Sequence, residues 1–355
     1  MNTPGRPEVV VVTGAGAGLG RAIVQSFAQR GAHIGLVSRG RERLEDARRE
    51  VERFGGRALV LPGDVADPAT TEDAAARTEA AFGPLDVWVN NAMTTVFSPF
   101  HQMSAEDFRR VTEVTYLGFV YGTMAALRRM RPRDRGTIVQ VGSALAYRSI
   151  PLQSAYCGAK HAVAGFTDSI RTELIHDRSR VHITMVQMPA LNTPQFSWCK
   201  SSMARKAQPV PPIFQPEVGA EAVYWAAHER HREVFVGWPT VRAIWGQRIM
   251  PGVLDHLAAH LAWDGQLYDG ARDPDAPVDL YQPVPGHQAA HGEFDDRARG
   301  SSRALALTIQ ASRAVTALSA AAGFTIRALT RPSAQRTDSG VNGSPPIIER
   351  LTARR

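Results

Sequence analysis

Residues 13–20 read Thr13-Gly14-Ala15-Gly16-Ala17-Gly18-Leu19-Gly20, and this stretch decides the fold prediction. It lies between a short apolar run at residues 9–12 and a helix-length stretch at residues 21–30. Glycines let the backbone turn tightly and approach a pyrophosphate, and the free amides of the following helix then face the anion. The place of the loop between the first strand and the first helix predicts a dinucleotide site rather than a plain turn, and the loop lacks the Gly-Lys-Ser/Thr ending of a nucleoside-triphosphate site. The predicted binding residues are Gly14, Gly18, Leu19 and Gly20.

Further short apolar runs follow this loop, and helix-length stretches separate them. The runs are Val9–Val12, Ile34–Val37, Ala58–Leu61, Val87–Val89, Thr137–Val141, Val181–Val186 and Glu233–Val236. They are continuous rather than alternating, which is typical of strands covered by helices on both faces. The clearest helical stretches are Arg41–Phe54, Ala105–Met130 and Ala155–His176. This alternation predicts an α/β fold with a doubly wound parallel sheet, a Rossmann fold of about seven strands.

The alternating pattern fades after about residue 241, and the sequence predicts four regions. Residues 1–250 form the predicted Rossmann-fold domain, 251–302 an irregular extension rich in Pro, Asp and His, 303–330 an amphipathic helix, and 331–355 a disordered tail. The apolar face of the predicted helix is mostly Ala and Leu. Docking of that helix on protein is therefore favoured over contact with an anionic membrane surface.

The composition excludes several classes of protein. Hydrophobic residues make up 44% of the 355 and charged residues 21%, close to an average soluble protein. Two cysteines, Cys157 and Cys199, rule out a disulfide scaffold and a multi-cysteine zinc site, and the histidine spacing indicates no metal site. Without a leader-like or membrane-spanning apolar run, the sequence predicts a soluble cytoplasmic protein. The net charge of +7 suits small anions without indicating nucleic acid.

The end of the second predicted strand separates the two nicotinamide dinucleotides. An acid there binds the ribose 2′-hydroxyl and favours NAD, whereas an Arg accepts the 2′-phosphate of NADP. The chain reads Ser38-Arg39-Gly40-Arg41 at this point and has no acid. A guanidinium pairs phosphate oxygens through its planar fork, so Ser38 and Arg39, with Arg41 beside them, predict NADP(H) over NAD(H).

A Ser, a Tyr and a Lys have the spacing of a proton-transfer site. Ser143 follows the fifth predicted strand, and Tyr156 and Lys160 share one face of the next helix. The pKa of a free phenol, about 10, is too high for proton exchange at neutral pH, but a nearby ammonium lowers it. Tyr156 can then exchange a proton with a carbonyl or alcohol oxygen that Ser143 holds. A surface Tyr–Lys pair is the alternative, and the upstream phosphate loop favours catalysis.

With these motifs the chain resembles the short-chain dehydrogenase/reductase family over roughly residues 7–250. The resemblance rests on TGAGAGLG at 13–20, Asp64-Val65, Asn90-Asn91-Ala92, Ser143, the YxxxK motif from Tyr156 to Lys160, and Pro189 with Thr193. It implies that Asp64 and Val65 contact the adenine and that Asn91 and Ala92 line the nucleotide path. It also implies that Lys160 binds the nicotinamide ribose, that the segment from Pro189 to Thr193 holds the carboxamide, and that the protein is a homodimer or homotetramer.

Three positions depart from the usual pattern of the family. Met93 replaces the glycine of Asn-Asn-Ala-Gly, and Ala190 replaces the glycine of Pro-Gly. Thr115 stands where the family often has an Asn that holds a water for proton relay, and no Asn lies between Asn91 and Asn192 to replace it. Thr115 is the candidate for that role, although its hydroxyl has a shorter reach.

The motifs predict an NADP(H)-dependent oxidoreductase that acts on a ketone or a secondary alcohol. Residues 192–216 correspond to the substrate lid of the family, and their Phe196, Trp198, Met203 and Phe214 either favour a bulky, apolar substrate or pack on the core. Two alternatives remain open. One is a catalytically weakened dinucleotide-binding regulatory protein, and the other is an NAD-linked alcohol or steroid dehydrogenase.

Overall fold

The computed structural model describes residues 6–312 and residue 314. Its central sheet has seven strands, and every pairing in this sheet is parallel. The strands are β1 (Val9–Thr13), β2 (His33–Ser38), β3 (Ala58–Pro62), β4 (Val87–Asn90), β5 (Thr137–Ser143), β6 (His182–Met188) and β7 (Glu233–Phe235). Their order across the sheet is β3-β2-β1-β4-β5-β6-β7. The strand order reverses between β1 and β4, so the predicted doubly wound parallel sheet, a Rossmann fold, is confirmed.

Helices follow each strand of the sheet. They are α1 (Gly18–Ala28), α2 (Arg41–Arg53), α3 (Pro68–Phe82), α4 (Ala105–Thr112), α5 (Gly118–Met130), α6 (Ser154–His176), α7 (Pro216–His228), α8 (Trp238–Ile249) and α9 (Pro251–Leu257). Helix α1 packs against α7, and α3 packs against α5. The single helix predicted at residues 105–130 is observed as α4 and α5 joined by a π-helical turn, Glu113–Leu117.

Buried polar side chains fix the central strands against α5. Asn90 at the end of β4 accepts a hydrogen bond from Nε1 of Trp88 over 2.7 Å. Its own Nδ2 donates to Oε1 of Gln140 over 2.9 Å and to Oγ1 of Thr123 over 3.0 Å. A buried polar network with its partners in place holds one arrangement of the elements that it joins. The carboxyl ends of β4 and β5, which carry Asn91 and Ser143, are therefore fixed relative to each other.

The chain after residue 250 is more regular than the sequence analysis expected. Leu267–Ala271 pairs antiparallel with Arg205–Ala207 in the lid region. Ala298–Arg299 pairs parallel with Ile213–Phe214. The extension therefore adds strands to the segment that follows β6, and it does so through residues that no periodic pattern distinguishes.

One compact unit of the chain extends to Leu307, and the predicted domain boundary at residue 250 stays a prediction. Residues 303–312 are helical, and Ala304 and Leu305 at their start are buried. Most of the predicted amphipathic helix, and the predicted tail at 331–355, lie outside the described residues. Among the helices that the structure describes, none has the length and hydropathy needed to span a membrane.

Candidate active site

A cavity of about 460 Å³ opens at the carboxyl ends of the strands from β1 to β6. In a doubly wound sheet this edge binds ligands, at the point where the strand order reverses. The cavity brings together fifteen of the seventeen residues, Arg41 included, that the sequence analysis assigned to catalysis or to the cofactor. Its lining includes Gly14, Gly18, Leu19, Gly20, Ser38, Arg39, Asp64, Val65, Asn91, Ala92, Ser143, Tyr156, Lys160, Pro189 and Thr193. Thr115 and Arg41, which the structure also describes, are not part of the lining.

The glycine loop lies directly against β1 and β4. Gly14 has a φ of +70°, and a Cβ there would lie 2.8 Å from Nδ2 of Asn91. A Cβ on Gly20 would lie 1.9 Å from the carbonyl oxygen of Gly14. Nδ2 of Asn91 in turn donates to the carbonyl oxygen of Thr13 over 3.0 Å. These two positions admit glycine alone, so the loop backbone packs closely against the carboxyl ends of β1 and β4 at the edge of the cavity.

The Lys160 side chain lies beneath the cavity on α6 and is only 2% exposed. Its Nζ donates to the carbonyl oxygen of Val141 on β5 over 2.7 Å and lies 4.5 Å from the centroid of the Phe119 ring. Burial lowers the pKa of the Lys160 ammonium to about 7. Near neutral pH, the amine therefore exchanges between its charged and neutral forms.

The Tyr156 ring centroid lies 5.6 Å from Nζ of Lys160. Burial raises the pKa of the Tyr156 phenol above its ordinary value, and hydrogen bonding with Ser143 opposes part of that rise. Oγ of Ser143 accepts from the amide of Leu145 over 3.1 Å, which leaves its hydroxyl proton free to be donated. Tyr156 is thus a neutral phenol in the cavity lining. The Ser143 hydroxyl and the Lys160 amine lie near it.

Thr115 is fully buried in the π-helical turn between α4 and α5. Its Oγ1 donates to the carbonyl oxygen of Thr94 over 2.9 Å and accepts from the Thr94 amide over 3.0 Å. The hydroxyl therefore fastens the loop after β4, the loop that also carries Met93. This geometry supports an anchoring role for Thr115 in place of the water-holding role expected from the sequence.

Two guanidiniums meet at the β2 end of the cavity. Nη2 of Arg39 lies 3.1 Å from Oδ2 of Asp279. Arg43 is 6% exposed, its guanidinium lies 4.7 Å from the centroid of a Trp198 ring, and its Nη2 donates to the carbonyl oxygen of Val284. Nε of Arg43 is buried without a hydrogen-bond partner among the described residues. An unpaired buried donor beside a second Arg fits an anionic group such as a phosphate.

Arg43 occupies the place that the sequence analysis gave to Arg41. Arg41 is exposed at the first position of α2 and is absent from the cavity lining, whereas Arg43 lines it. The signal in the sequence was that Arg43 follows Arg39 by four residues, near the start of α2. In the sequence, however, Arg43 resembles the other Arg residues of α2, of which Arg48 and Arg49 form ion pairs on the helix surface.

The Asp64 carboxylate, expected near an adenine, is held by two neighbours. Its Oδ2 accepts from Nη2 of Arg110, and its Oδ1 accepts from the amide of Ala66 over 3.0 Å. Nε of Arg110 donates to the carbonyl oxygen of Leu280 over 3.1 Å. The Asp64 side of the cavity is therefore held by an ion pair that also bonds the C-terminal extension.

The lid residues divide between the cavity and the core. Phe196 and Trp198 line the cavity, whereas Met203 is absent from the lining and Phe214 is buried in a short strand. Trp198 lies on Arg43, at the β2 end of the cavity. The two departures Met93 and Ala190 also line the cavity.

The extension after residue 250 contributes to the site, which sequence reasoning missed. We call residues 279–292 the strap. Its Asp279 and Pro283 line the cavity, and the carbonyl oxygen of Ala289 accepts from the amide of Gly18 over 3.1 Å. A Pro- and Asp-rich stretch without periodicity offers no signal that it folds back across a loop more than two hundred residues earlier.

Comparisons with known proteins agree with this geometry. The model of the short chain dehydrogenase family matches residues 8–201. The uncharacterized oxidoreductase YxnA of Bacillus subtilis (strain 168) is 29% identical over 278 residues, which cover 78% of each chain. A fatty acyl-CoA reductase of Acinetobacter baylyi is 27% identical over 229 residues, 64% of this chain and 75% of that one.

A solved structure shares the fold. The alcohol dehydrogenase of the archaeon Thermococcus sibiricus, complexed with 5-hydroxy-NADP, superposes with a TM-score of 0.56 at 25% sequence identity. The similarity covers 65% of this chain and 96% of that one. The family model covers more than half of the chain, and the central sheet has the doubly wound strand order described above. The chain therefore belongs to the short-chain dehydrogenase family of oxidoreductases.

Proposed function

We propose that the protein is an NADP(H)-dependent oxidoreductase that interconverts a ketone and a secondary alcohol. The observation that carries the proposal is one continuous cavity with Ser143, Tyr156 and Lys160 in its lining together with Arg39 and Arg43. The first three residues can transfer a proton to or from oxygen, and the two guanidiniums can bind a phosphate. Both halves of the chemistry are thus available in one space.

The residues of the cavity fit a dinucleotide cofactor. The loop backbone from Gly14 to Gly20 would hold the pyrophosphate, and Arg39 with Nε of Arg43 would hold a 2′-phosphate. The residues proposed to hold the remaining groups are Ser38, Asp64, Val65, Asn91, Ala92, Lys160, Pro189 and Thr193. When bound, the nicotinamide supplies or accepts the hydride of the reaction.

The proton is handled by the side chains of the chain itself. In reduction, the Tyr156 hydroxyl donates its proton to the oxygen of the substrate, and the Ser143 hydroxyl donates a hydrogen bond to the same oxygen. Charged Lys160 stabilises the phenolate that remains, because an ammonium favours a nearby anion. In oxidation, Tyr156 takes the proton back. Nζ of Lys160 keeps its bond to Val141 throughout, which fixes the ammonium beside the ring.

A bulky, apolar substrate is the second part of the proposal. The lining of the cavity includes the apolar side chains of Met93, Ile150, Phe196, Val210 and Pro211. Apolar walls with a few fixed polar groups are typical of sites for large hydrophobic ligands. NADPH oxidation measured on ketones of increasing size tests both parts. Activity that rises with apolar size supports the proposal, and binding of NADPH without turnover of any ketone favours the regulatory alternative.

One observation favours NAD(H) as a second candidate cofactor. The Asp279 carboxylate lies beside Arg39 in the lining of the cavity. An acid at this place binds a free ribose 2′-hydroxyl. Dissociation constants for NADH and NADPH decide between the two candidates.

A further inference from the structure

The strap runs from the β2 end of the cavity, where Arg39 and Arg43 lie, to the glycine loop. Near its start, Asp279 and Leu280 contact Arg39. In its middle, the carbonyl oxygen of Val284 accepts from Arg43. Towards its end, Ala289 bonds the amide of Gly18. The strap therefore contacts the same groups that are proposed to bind the phosphates of a dinucleotide.

Asp279 is the one strap residue that brings a negative charge to these arginines. Its Oδ2 lies 3.1 Å from Nη2 of Arg39. The same nitrogen donates to the carbonyl oxygen of Asp279 over 2.6 Å, and Nη1 donates to the carbonyl oxygen of Leu280 over 3.2 Å. Backbone carbonyls thus already orient the Arg39 guanidinium, and the carboxylate adds charge to a group whose position does not depend on it.

The carboxylate of Asp279 is also incompletely compensated. Burial raises the pKa of Asp279 even though Arg39 and Arg43 act in the opposite direction. Its Oδ1 accepts only from the amide of Val284, over 3.2 Å, among the hydrogen bonds that the described residues make to it. A partly buried charge of this kind responds to the sign of a neighbouring group more strongly than a charge in water does.

The two dinucleotides would meet this carboxylate differently. A 2′-phosphate is an anion that Asp279 repels and with which it competes for Arg39. A free 2′-hydroxyl is a hydrogen-bond donor that the carboxylate can accept. The same side chain therefore opposes one cofactor and tolerates or assists the other.

We propose that Asp279, supplied by the strap, is a specificity-determining residue that lowers the affinity of the site for NADP(H) relative to NAD(H). This proposal rests on the dinucleotide function proposed above. On this proposal, the relative affinity for NADP(H) and NAD(H) depends on two opposing effects. Arg39 and Arg43 favour the 2′-phosphate, and Asp279 of the C-terminal extension disfavours it.

Asp279→Asn tests the proposal, because Asn keeps the acceptor for Val284 and removes the charge. Dissociation constants of NADPH and NADH are measured by calorimetry for the full chain at one pH and salt concentration. We expect the ratio of NADPH affinity to NADH affinity to rise about tenfold, the range of one charge-assisted contact. Asp279→Glu keeps the charge and should keep a ratio near that of the unchanged protein.

Tyr281→Phe is the matched control for a loosened strap. Its hydroxyl donates to Oδ1 of Asp107 over 2.9 Å, so this change removes a strap contact without altering the charge near Arg39. Both dissociation constants should shift together in this variant. If Asp279→Asn unfolds, Asp279→Ser, which also offers an acceptor to Val284, makes the same comparison.

The outcomes separate this proposal from the proposed function. A ratio that rises in Asp279→Asn but not in Tyr281→Phe supports the proposal, and so does NADPH binding that appears only in the Asn variant. A ratio that is unchanged or falls, in a protein that binds NADPH, overturns the role of Asp279 and leaves the proposed function intact. If neither the unchanged protein nor the Asn variant binds NADPH, both are overturned.

Discussion

Nη2 of Arg39 lies 3.1 Å from Oδ2 of Asp279, although the two residues are 240 positions apart in the chain. The first belongs to the end of β2 and the second to the strap. Their contact joins the edge of the Rossmann sheet to a segment outside the region that the family model matches. The properties of the cofactor site therefore depend on both parts of the chain.

Tyr156→Phe is expected to lower turnover by a factor of about 10² to 10⁴, the usual contribution of a general acid, with NADPH affinity changed little. The phenol supplies the proton, whereas the proposed phosphate contacts lie elsewhere. Initial rates and calorimetry measure the two effects. Tyr147→Phe is the matched control, because this buried hydroxyl bonds Glu233 and is absent from the cavity lining. Turnover within about tenfold in Tyr156→Phe would remove Tyr156 from the catalytic role.

Arg43→Met is expected to weaken NADPH binding by about tenfold and to change NADH binding much less, because the guanidinium is proposed to bind the 2′-phosphate, which NADH lacks. Arg41→Met, at an exposed position on the same helix, should change neither. Dissociation constants of both dinucleotides check this. If Arg41→Met has the larger effect, the second phosphate-binding Arg is the one expected from the sequence and not the one seen in the structure.

Lys160→Met is expected to raise the free energy of unfolding at pH 7 while abolishing turnover. The pKa of Lys160 is about 7 in the folded chain, against 10.5 for a free lysine. Between these values the unfolded chain binds more protons, so the burial of Lys160 destabilises the protein most at low pH and less as the pH rises. The stability gap between variant and unchanged protein should therefore narrow from about pH 7 towards pH 10. Urea unfolding at several pH values measures this gap, and a gap that widens contradicts the assignment.

Truncation after Asp264 is expected to lower stability by several kcal/mol, a fall in melting temperature of about 5 °C or more. It removes Leu280, which is 1% exposed and packs with Val96 and Val111, and it removes the Gln266 amide that bonds Gln153. A chain that ends at residue 314 keeps these contacts and is the control. Equal melting temperatures for both truncated chains would show that the extension adds nothing to the fold.

A homodimer or homotetramer is the expected assembly, formed through α4, α5 and α6. Met124 on α5 is 50% exposed and Ile175 on α6 is 70% exposed, so these helices present apolar side chains outward. Light scattering at micromolar concentration measures the mass. Met124→Lys combined with Ile175→Lys should reduce it, whereas Phe54→Lys, at the exposed end of α2, should not. A monomeric unchanged protein contradicts the expectation.

The strands and the central site could be predicted from the sequence because their signals are local. β1 is a run of valines that is buried throughout, and the glycine loop follows it within five residues. Ser143 lies at the end of β5, and Tyr156 and Lys160 lie on the next helix, α6. Their spacing in the sequence is therefore enough to predict that they lie close together. For these residues, short-range periodicity and geometry were sufficient.

The rest depends on contacts between distant segments. The proposed role of Asp279 depends on where the strap crosses the edge of the sheet. The sequence of the strap has no periodic pattern from which that path could be predicted. The position of Trp198 on Arg43 depends on the fold of the lid. Thr115 in the π-helical turn at Glu113–Leu117 bonds Thr94 in another segment, a tertiary contact that a helical pattern in one segment cannot reveal.

The bond from Arg110 to Leu280 spans 170 positions, and the one from Arg39 to Leu280 spans 241. Contacts of such sequence separation form only after long loops have closed, which slows folding. During synthesis, the Rossmann strands emerge well before the strap, so Val96 and Val111 are made long before Leu280, which packs with them in the folded chain. We expect Leu280 to dock late in folding, and a chain stalled before that step would present an apolar surface to chaperones and to other unfinished copies.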